Sequence, residues 1–448
     1  LNIKIIDPIV CQTDKPEELK EILTVTKTFW KKGSFGRKEK RQYKASLVNK
    51  DGHFLFGFLP RVIKQCELRK IPTNTIGEIP KVKYKKGFQY PHLTLFPDQE
   101  KIVKNALEIQ RGIIKSPTGT GKTVIMYAII SPLISSKSLI ICSSKSILVQ
   151  TKNKFEEWGF KTSVFDGKTK DLSGEVVVGL INSLHNLPIE KHCSIFDAVL
   201  IDETHHVSSL EGMYHQFLSK SLAPMKIGLT ATPNEELGSE AQMASEGLIG
   251  PILGLFTFEE AVKAKRIAKP KLKLLPAPVN TNIKEVRTYH EIYKIGIVFN
   301  RLRNNMIADY IVEQASNGKT CLVFVRLIEH MDIVISLLRK KGVSCEAISG
   351  EVESSTRETT KKKLIEKKIM AVVATTAWRE GVDIPQLDVV INAAGYLSEK
   401  PIIQMAGRAL RISEGKEEGT IVDIIDSGKY LAEHCVRRLL VYSDLGWI

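Results

Sequence analysis

Residues 112–123 read "GIIKSPTGTGKT". A short apolar run enters a loop with two glycines, and the loop enters a second apolar run, "VIMYAII" (124–130). Strand, Gly-rich loop and helix in that order make a phosphate cradle, because backbone N–H groups and the helix N-terminus converge on one anion. The usual pattern is G-x-x-x-x-G-K-[ST]. Here Ser116 stands at its first glycine, and Thr118, Gly119, Thr120 and Gly121 form the turn. Lys122 is placed to reach the outer phosphates of a nucleotide, and the Thr123 hydroxyl to hold Mg²⁺.

The surroundings of this loop predict the fold. "GIIK", "SLIICS", "EVVVGL", "FDAVLID" and "KIGLT" are strands apolar on both faces, and helical patterns such as "KSILVQTKNKFEEWG" lie between them. Buried strands that alternate with helices argue for a parallel sheet covered on both sides. "AVLIDETHH" (198–206) ends such a strand in Asp202 and Glu203, two carboxylates at the edge where open α/β sheets bind ligands. Asp202 suits Mg²⁺, and Glu203 suits orienting and activating an attacking water. The adjacent His205 and His206 point in different directions, which disfavours a metal pair.

The alternation returns further on with "TCLVFV", "SCEAIS", "MAVVATT", "LDVVINAA" and "GTIVDIID". The expected class is α/β: a first parallel-sheet domain over 91–265, a Pro-containing connector over 266–284 and a second sheet domain over 285–448. "QMAGRALR" (404–411) places Arg408 and Arg411 three apart behind Gln404. On one helix that spacing aims both guanidinium groups at one spot. An arginine that stabilises a phosphoryl group in transfer raises the rate by roughly 10³–10⁵. Because these arginines belong to the other sheet domain, closure of the two domains is expected to bring them to the phosphate.

The first 90 residues differ in kind. Of a net charge of +15 over 448 residues, they hold +11, from 20 Lys and Arg against 9 Asp and Glu. A basic block on a near-neutral body points to a polyanion. "KPEELKEILTVTKTF" (15–29) predicts a helix with Pro16 near its start. "YKASLVNKDGHFLFGF" (43–58) predicts two strands joined at Asp51-Gly52, and "PRVIKQCELRK" (60–70) a helix opened by Pro60. Together they suggest a small α+β domain. Seven cysteines are scattered without CxxC spacing, so reduced thiols and a cytoplasmic setting are expected, and a zinc or iron–sulfur centre is not. No apolar run approaches the ~18 residues of a membrane span, and the N-terminus shows no secretory signal.

Taken in order, the motifs resemble those of superfamily 2 nucleic-acid helicases of the DExH kind, built on two RecA-like domains. "CSSKSILVQ" (142–150) and "VVVGLINSL" (176–184) resemble segments along the first domain, the latter a backbone-contacting one. "LTATP" (229–233) is similar to the family's coupling tripeptide, and "VVATTAWREGVDIP" (372–385) to its motif with Gly381 and Asp383. "QMAGRALR" fits Q-x-x-G-R-x-x-R. The resemblance implies ATP as the nucleotide and 3′→5′ tracking. It also implies adenine reading by Gln99 in "LFPDQ" (where Phe96 and Asp98 depart from the usual residues), ATP contacts at Gly381 and Asp383, and a link from His205 to Thr230 and Thr232. It assigns Lys122, Asp202, Glu203, Gln404, Arg408 and Arg411 to the hydrolytic step. Trp378 and Arg379 receive no role beyond contact with the track. The domain plan and "SGEVESSTRE" (349–358) look like the UvsW-type phage helicases, which remodel branched DNA by fork regression and branch migration.

"KTFWKKGSFGRKEKRQYK" (27–44) then supplies a candidate DNA contact. It has eight basic residues and one acid, interleaved with aromatics. Lys31, Lys32, Arg37, Lys38, Lys40, Arg41 and Lys44 would neutralise phosphates, and Trp30 would stack on an exposed base. No base-reading motif is present, which suits recognition of shape. An RNA-unwinding enzyme, an ATP-switched clamp and the motor subunit of a restriction system remain open as alternatives.

Overall fold

The computed structural model describes the chain except for residues 33–37, 80, 189–192, 235, 351, 353, 376–383, 385–386, 396–398 and 414–415, and except for the side chains of 28–32, 38–41, 281, 284, 354 and 399–400. The chain divides into two compact units, one of Leu1–Ser116 with Gly121–Phe256, the other of Pro117–Thr120 with Thr257–Ile448.

In the first unit, β1 (Asn2–Ile5), β2 (Val10–Thr13), β3 (Thr24–Lys32), β4 (Lys38–Ser46), β5 (His53–Leu55) and β6 (Asn74–Ile76) make two small sheets. One has the order β5-β2-β1-β6, and the other is the β3–β4 antiparallel hairpin. Two expectations are corrected here. The helix read over 15–29 covers only Pro16–Leu19, because Thr24, Val25 and Thr26 are β-branched and Val25 is buried, which favours the strand. The turn at Asp51-Gly52 exists, but its two strands do not pair: β4 pairs with β3, and β5 with β2. Gly52 has φ +78°, and a Cβ there would lie 2.1 Å from the Thr13 carbonyl oxygen, so no other residue fits. The helix Leu59–Leu68 carries Pro60 in its first turn, as expected.

These small sheets dock on the helix Glu240–Leu248. A Cβ on Gly57 would lie 2.1 Å from the Glu246 carbonyl oxygen, and one on Gly247 would lie 2.6 Å from the Phe58 ring. Arg61 clasps Glu246 in a fork, with Nε donating to Oε1 at 2.7 Å and Nη2 to Oε2 at 2.5 Å. The guanidinium of Arg111 lies 4.8 Å from the Phe56 ring centroid, and its Nη1 donates to the Pro8 carbonyl at 2.7 Å. Burial pushes Arg111 down to about 10.

The large sheet of this unit comprises β7 (Arg111–Lys115), β8 (Ser138–Cys142), β9 (Thr162–Phe165), β10 (Val176–Leu180), β11 (Ala198–Asp202), β12 (Met225–Thr230) and β13 (Ile252–Leu255). All are parallel, in the order β13-β7-β12-β11-β8-β10-β9. The five strands read from sequence form its centre. The two edge strands, β9 and β13, escaped because their side chains are only partly buried.

The second unit holds a six-stranded parallel sheet of β14 (Lys269–Pro276), β15 (Cys321–Phe324), β16 (Cys345–Ile348), β17 (Ala371–Ala374), β18 (Val389–Asn392) and β19 (Glu418–Ile425), in the order β14-β19-β18-β15-β17-β16. Eight of the nineteen residues read as a connector (266–284) are therefore a strand. β14 runs parallel to β19 over its whole length, and its edge position tolerates Pro270 and Pro276. Both large sheets follow the RecA-like plan that the motifs imply.

Charged groups brace the second sheet from within. Arg303, with no exposed surface, donates to both Asp426 carboxylate oxygens at 2.6 and 3.1 Å and to the Ala393 carbonyl at 3.0 Å. Asp423 accepts from Arg438 at 2.8 Å, Tyr442 at 2.6 Å and Asn392 at 3.3 Å. His330 is fully buried, its Nε2 lies 2.9 Å from Asn304 Oδ1, and burial holds it down at about 3.

Candidate nucleotide site

The C-terminal edge of the first large sheet gathers the residues read from "GKT", "DE" and "TAT". β7 leads into the loop, and the helix Lys122–Ile130 starts from Gly121. Gly119 and Gly121 have φ of +91° and +87°, values that L side chains rarely adopt. A Cβ at Gly121 would also lie 2.8 Å from Gln99 Nε2, so the loop and the buried Gln99 side chain lie close together. Gln99 sits in the first turn of the helix Pro97–Ile109, where its Oε1 accepts from the Phe96 N–H at 3.2 Å. Thr120 folds back on the loop, its hydroxyl donating to the Pro117 carbonyl at 2.7 Å.

β11 delivers the carboxylates. Asp202 Oδ1 accepts the Glu203 N–H at 3.0 Å, and Glu203 takes a left-handed φ of +50°. That backbone turn is costly for a residue with a side chain, and it swings Glu203 toward Lys122. Lys122 Nζ lies 3.5 Å from Glu203 Oε1, and His205 Nδ1 lies 3.3 Å from Oε2. Burial works to raise the Glu203 carboxyl, but Lys122, then His205, outweigh it and hold the group below the usual carboxylate range.

From His205 the contacts continue. Its Nδ1 lies 3.1 Å from Thr230 Oγ1, and the same oxygen accepts the Thr232 N–H at 3.1 Å. All three residues are buried. The sequence reading missed the next member, Asn234. Its Nδ2 donates to the carbonyls of His205 at 3.4 Å, Val207 at 3.2 Å and Ala241 at 3.3 Å. Its only signal was its place just after the tripeptide.

Of the second unit's candidates, Gln404 and Arg408 are buried on the helix Glu399–Ala409. Arg411 lies beyond the end of that helix, so the expectation of two arginines on one helical face is corrected. Burial pushes Arg411 down to about 10. Gly381, Asp383, Trp378 and Arg379 fall outside the described residues.

Of the basic stretch, Lys44 is exposed, with its Cα opposite that of Thr26. The backbones of Trp30, Lys31, Lys32, Lys38, Lys40 and Arg41 belong to the hairpin, and Arg37 lies outside the described residues. Lys27 is committed elsewhere: its Nζ donates to Glu211 at 2.6 Å.

A Gly-turn cradle, a strand-end acid pair and a histidine joined to a threonine are the arrangement expected of a nucleoside-triphosphate hydrolase of the two-sheet kind. Residues 92–235 match the type III restriction enzyme res-subunit family, and residues 302–413 match the helicase conserved C-terminal domain. Among relatives, putative helicase 22 of Sulfolobus islandicus filamentous virus is 26% identical over 361 residues, covering 74% of this chain and 63% of that protein. The DNA 3′-5′ translocase XPB2 of Sulfurisphaera tokodaii is 24% identical over 371 residues, covering 74% and 81%. The ATP-dependent DNA helicase uvsW of Enterobacteria phage T4 is 24% identical over 380 residues, covering 77% and 74%. The crystal structure of the DUF1998 helicase MrfA bound to DNA shares the fold, with a TM-score of 0.61 at 18% identity over 81% of this chain and 52% of that one. The chain thus spans less than two thirds of the viral relative's length. With the two matched regions in this order along the chain, it resembles the superfamily 2 helicases, the UvsW phage type among them.

Proposed function

We propose that the chain is an ATP-driven DNA helicase or translocase that moves 3′→5′ and remodels branched DNA, by fork regression and branch migration, in the cytoplasm. The observation that carries the hydrolytic part is the Glu203 carboxylate standing between Lys122 and His205 at the sheet edge. DNA as the track is supported by the archaeal DNA translocase and phage DNA helicase among the relatives and by the +11 charge of the first 90 residues.

Loop N–H groups and the helix N-terminus bind the phosphates of ATP. The Thr123 hydroxyl and Asp202 carboxylate, hard oxygen donors at the cradle and the strand end, would hold Mg²⁺, which when bound supplies positive charge at the phosphates. Lys122 turns from Glu203 to the phosphate oxygens. Loss of that cation raises the proton affinity of Glu203, which can then take a proton from water as the water oxygen bonds to the γ-phosphorus and the bond to the bridging oxygen breaks. Paired with Lys122, Glu203 is a poor base, so hydrolysis waits for the nucleotide. Arg408 and Arg411 stabilise the charge on the phosphoryl group in transfer, with Gln404 beside them in the motif.

The test is steady-state ATPase at fixed salt, with single-stranded DNA, duplex, a four-way junction and structured RNA as separate stimulators. Strongest stimulation by the junction is expected. Strongest stimulation by RNA would overturn the choice of track, and equal stimulation by all would overturn branch recognition.

A further inference from the structure

The β3–β4 hairpin, far along the chain from the nucleotide residues, is tied at its base to the segments that leave them. The Thr26 N–H donates to the Gly238 carbonyl at 3.0 Å, and Thr26 bridges Ser239 in parallel. Residues 238–239 lie just beyond Thr230, Thr232 and Asn234. Lys27 Nζ donates to Glu211 Oε1 at 2.6 Å and lies 4.0 Å from Glu240 Oε1. That Glu240 oxygen accepts the Leu210 N–H at 3.1 Å and the Ser209 hydroxyl at 3.2 Å. Residues 209–211 follow Glu203 and His205, and Asn234 binds both segments through its three carbonyl contacts.

The hairpin base therefore hangs on two segments whose other ends meet at Glu203, His205 and Thr230. We propose that Lys27, Asn234 and Glu240 are positioning residues that carry the nucleotide state from this cluster to the β3–β4 hairpin, so that ATP sets the stance of the hairpin toward DNA. This rests on the proposed ATP-driven action on DNA. A lysine at the base of a basic hairpin would ordinarily count as one more phosphate contact. Here it is an anchor: Glu211 lies in the loop that follows β11, and Glu240 opens the helix Glu240–Leu248. Coupling of this kind needs a physical connection that both sites bias, and hydrogen bonds between short segments supply one.

The experiment compares the wild type, K27M, N234A and the charge swap K27E with E211K. Binding of forked DNA is measured without nucleotide and with a non-hydrolysable ATP analogue, and ATPase is measured without DNA. The wild type is expected to show a ratio between the two DNA affinities in the roughly 5–150-fold range of site-to-site coupling. In K27M and N234A that ratio falls toward one, while K27M keeps both its ATPase without DNA and its nucleotide-free DNA affinity near wild type. The charge swap restores much of the ratio. A K27M protein that keeps the wild-type ratio overturns the inference. So does a wild type that hydrolyses ATP and binds DNA with no ratio to transmit. Failure of the wild type to hydrolyse ATP or bind DNA would instead bring down the proposed function itself.

Discussion

In the second unit Arg303 and Asp426 meet through two hydrogen bonds of 2.6 and 3.1 Å, and the arginine is wholly enclosed. In the first, Lys122 and Glu203 stand 3.5 Å apart at the rim of a sheet, with 11% and 13% of their side chains exposed. The first arrangement engages all three guanidinium nitrogens: Arg303 adds a third bond to Ala393, and Asp423 collects Arg438, Tyr442 and Asn392. The second leaves a lysine held by a long contact that a phosphate can outcompete. Charge inside a protein holds the fold when each group is fully paired, and does chemistry when one partner can be exchanged.

The largest effect expected is on turnover. K122A or E203Q should lower ATPase by roughly 10³-fold or more, with DNA affinity within a few-fold of wild type. A parallel loss of DNA binding would erase the separation between nucleotide cradle and track. The second unit should respond in stability instead. D426A strands a buried guanidinium and should cost about 3–5 kcal/mol, read as a fall in the urea midpoint, whereas R303M with D426L together should recover most of it. No recovery in the double variant would mean that this pair, too, does more than pack.

A smaller effect follows from His330. Its folded pKa is depressed by burial to about 3, so the folded state stays unprotonated while the unfolded chain takes a proton below its ordinary value. The stability it contributes is complete above roughly pH 6.5 and declines as pH falls toward 3, by about 1 kcal/mol per unit. Denaturant midpoints at pH 7.5 and 5.5 should differ more in the wild type than in H330Q; equal differences would deny the histidine this role. Smallest is K44A, which should weaken DNA binding slightly and reduce the salt slope of log affinity by about one. An unchanged slope would place Lys44 off the phosphate track.

The motor core was legible because its motifs are local. "DE" and "TAT" begin at the ends of buried strands and "GKT" closes the loop that leaves another, and parallel pairing of neighbouring strands brings those ends to one edge. Contacts that join distant segments carried no such signal. Nothing in "KTFWKK" shows that Lys27 answers to Glu211 rather than to a phosphate, and nothing at Asp51-Gly52 shows that its flanking strands choose other partners. The spacing of Arg408 and Arg411 was clear, but where their helix stops was not, since Leu410 and Arg411 continue its pattern without a glycine or proline to mark the end.

The close seating of Gly57 and Phe58 on Glu246 and Gly247 bears on how this protein can be dissected. Cutting away the first ninety residues to obtain a minimal motor would strip the cover from the Glu240–Leu248 helix, leave Glu246 without Arg61 and bare the guanidinium of Arg111. Such a fragment would be prone to clump, and its inactivity would report a damaged surface rather than a lost grip on DNA. Single exchanges at the hairpin, which leave that seam intact, are the cleaner scalpel.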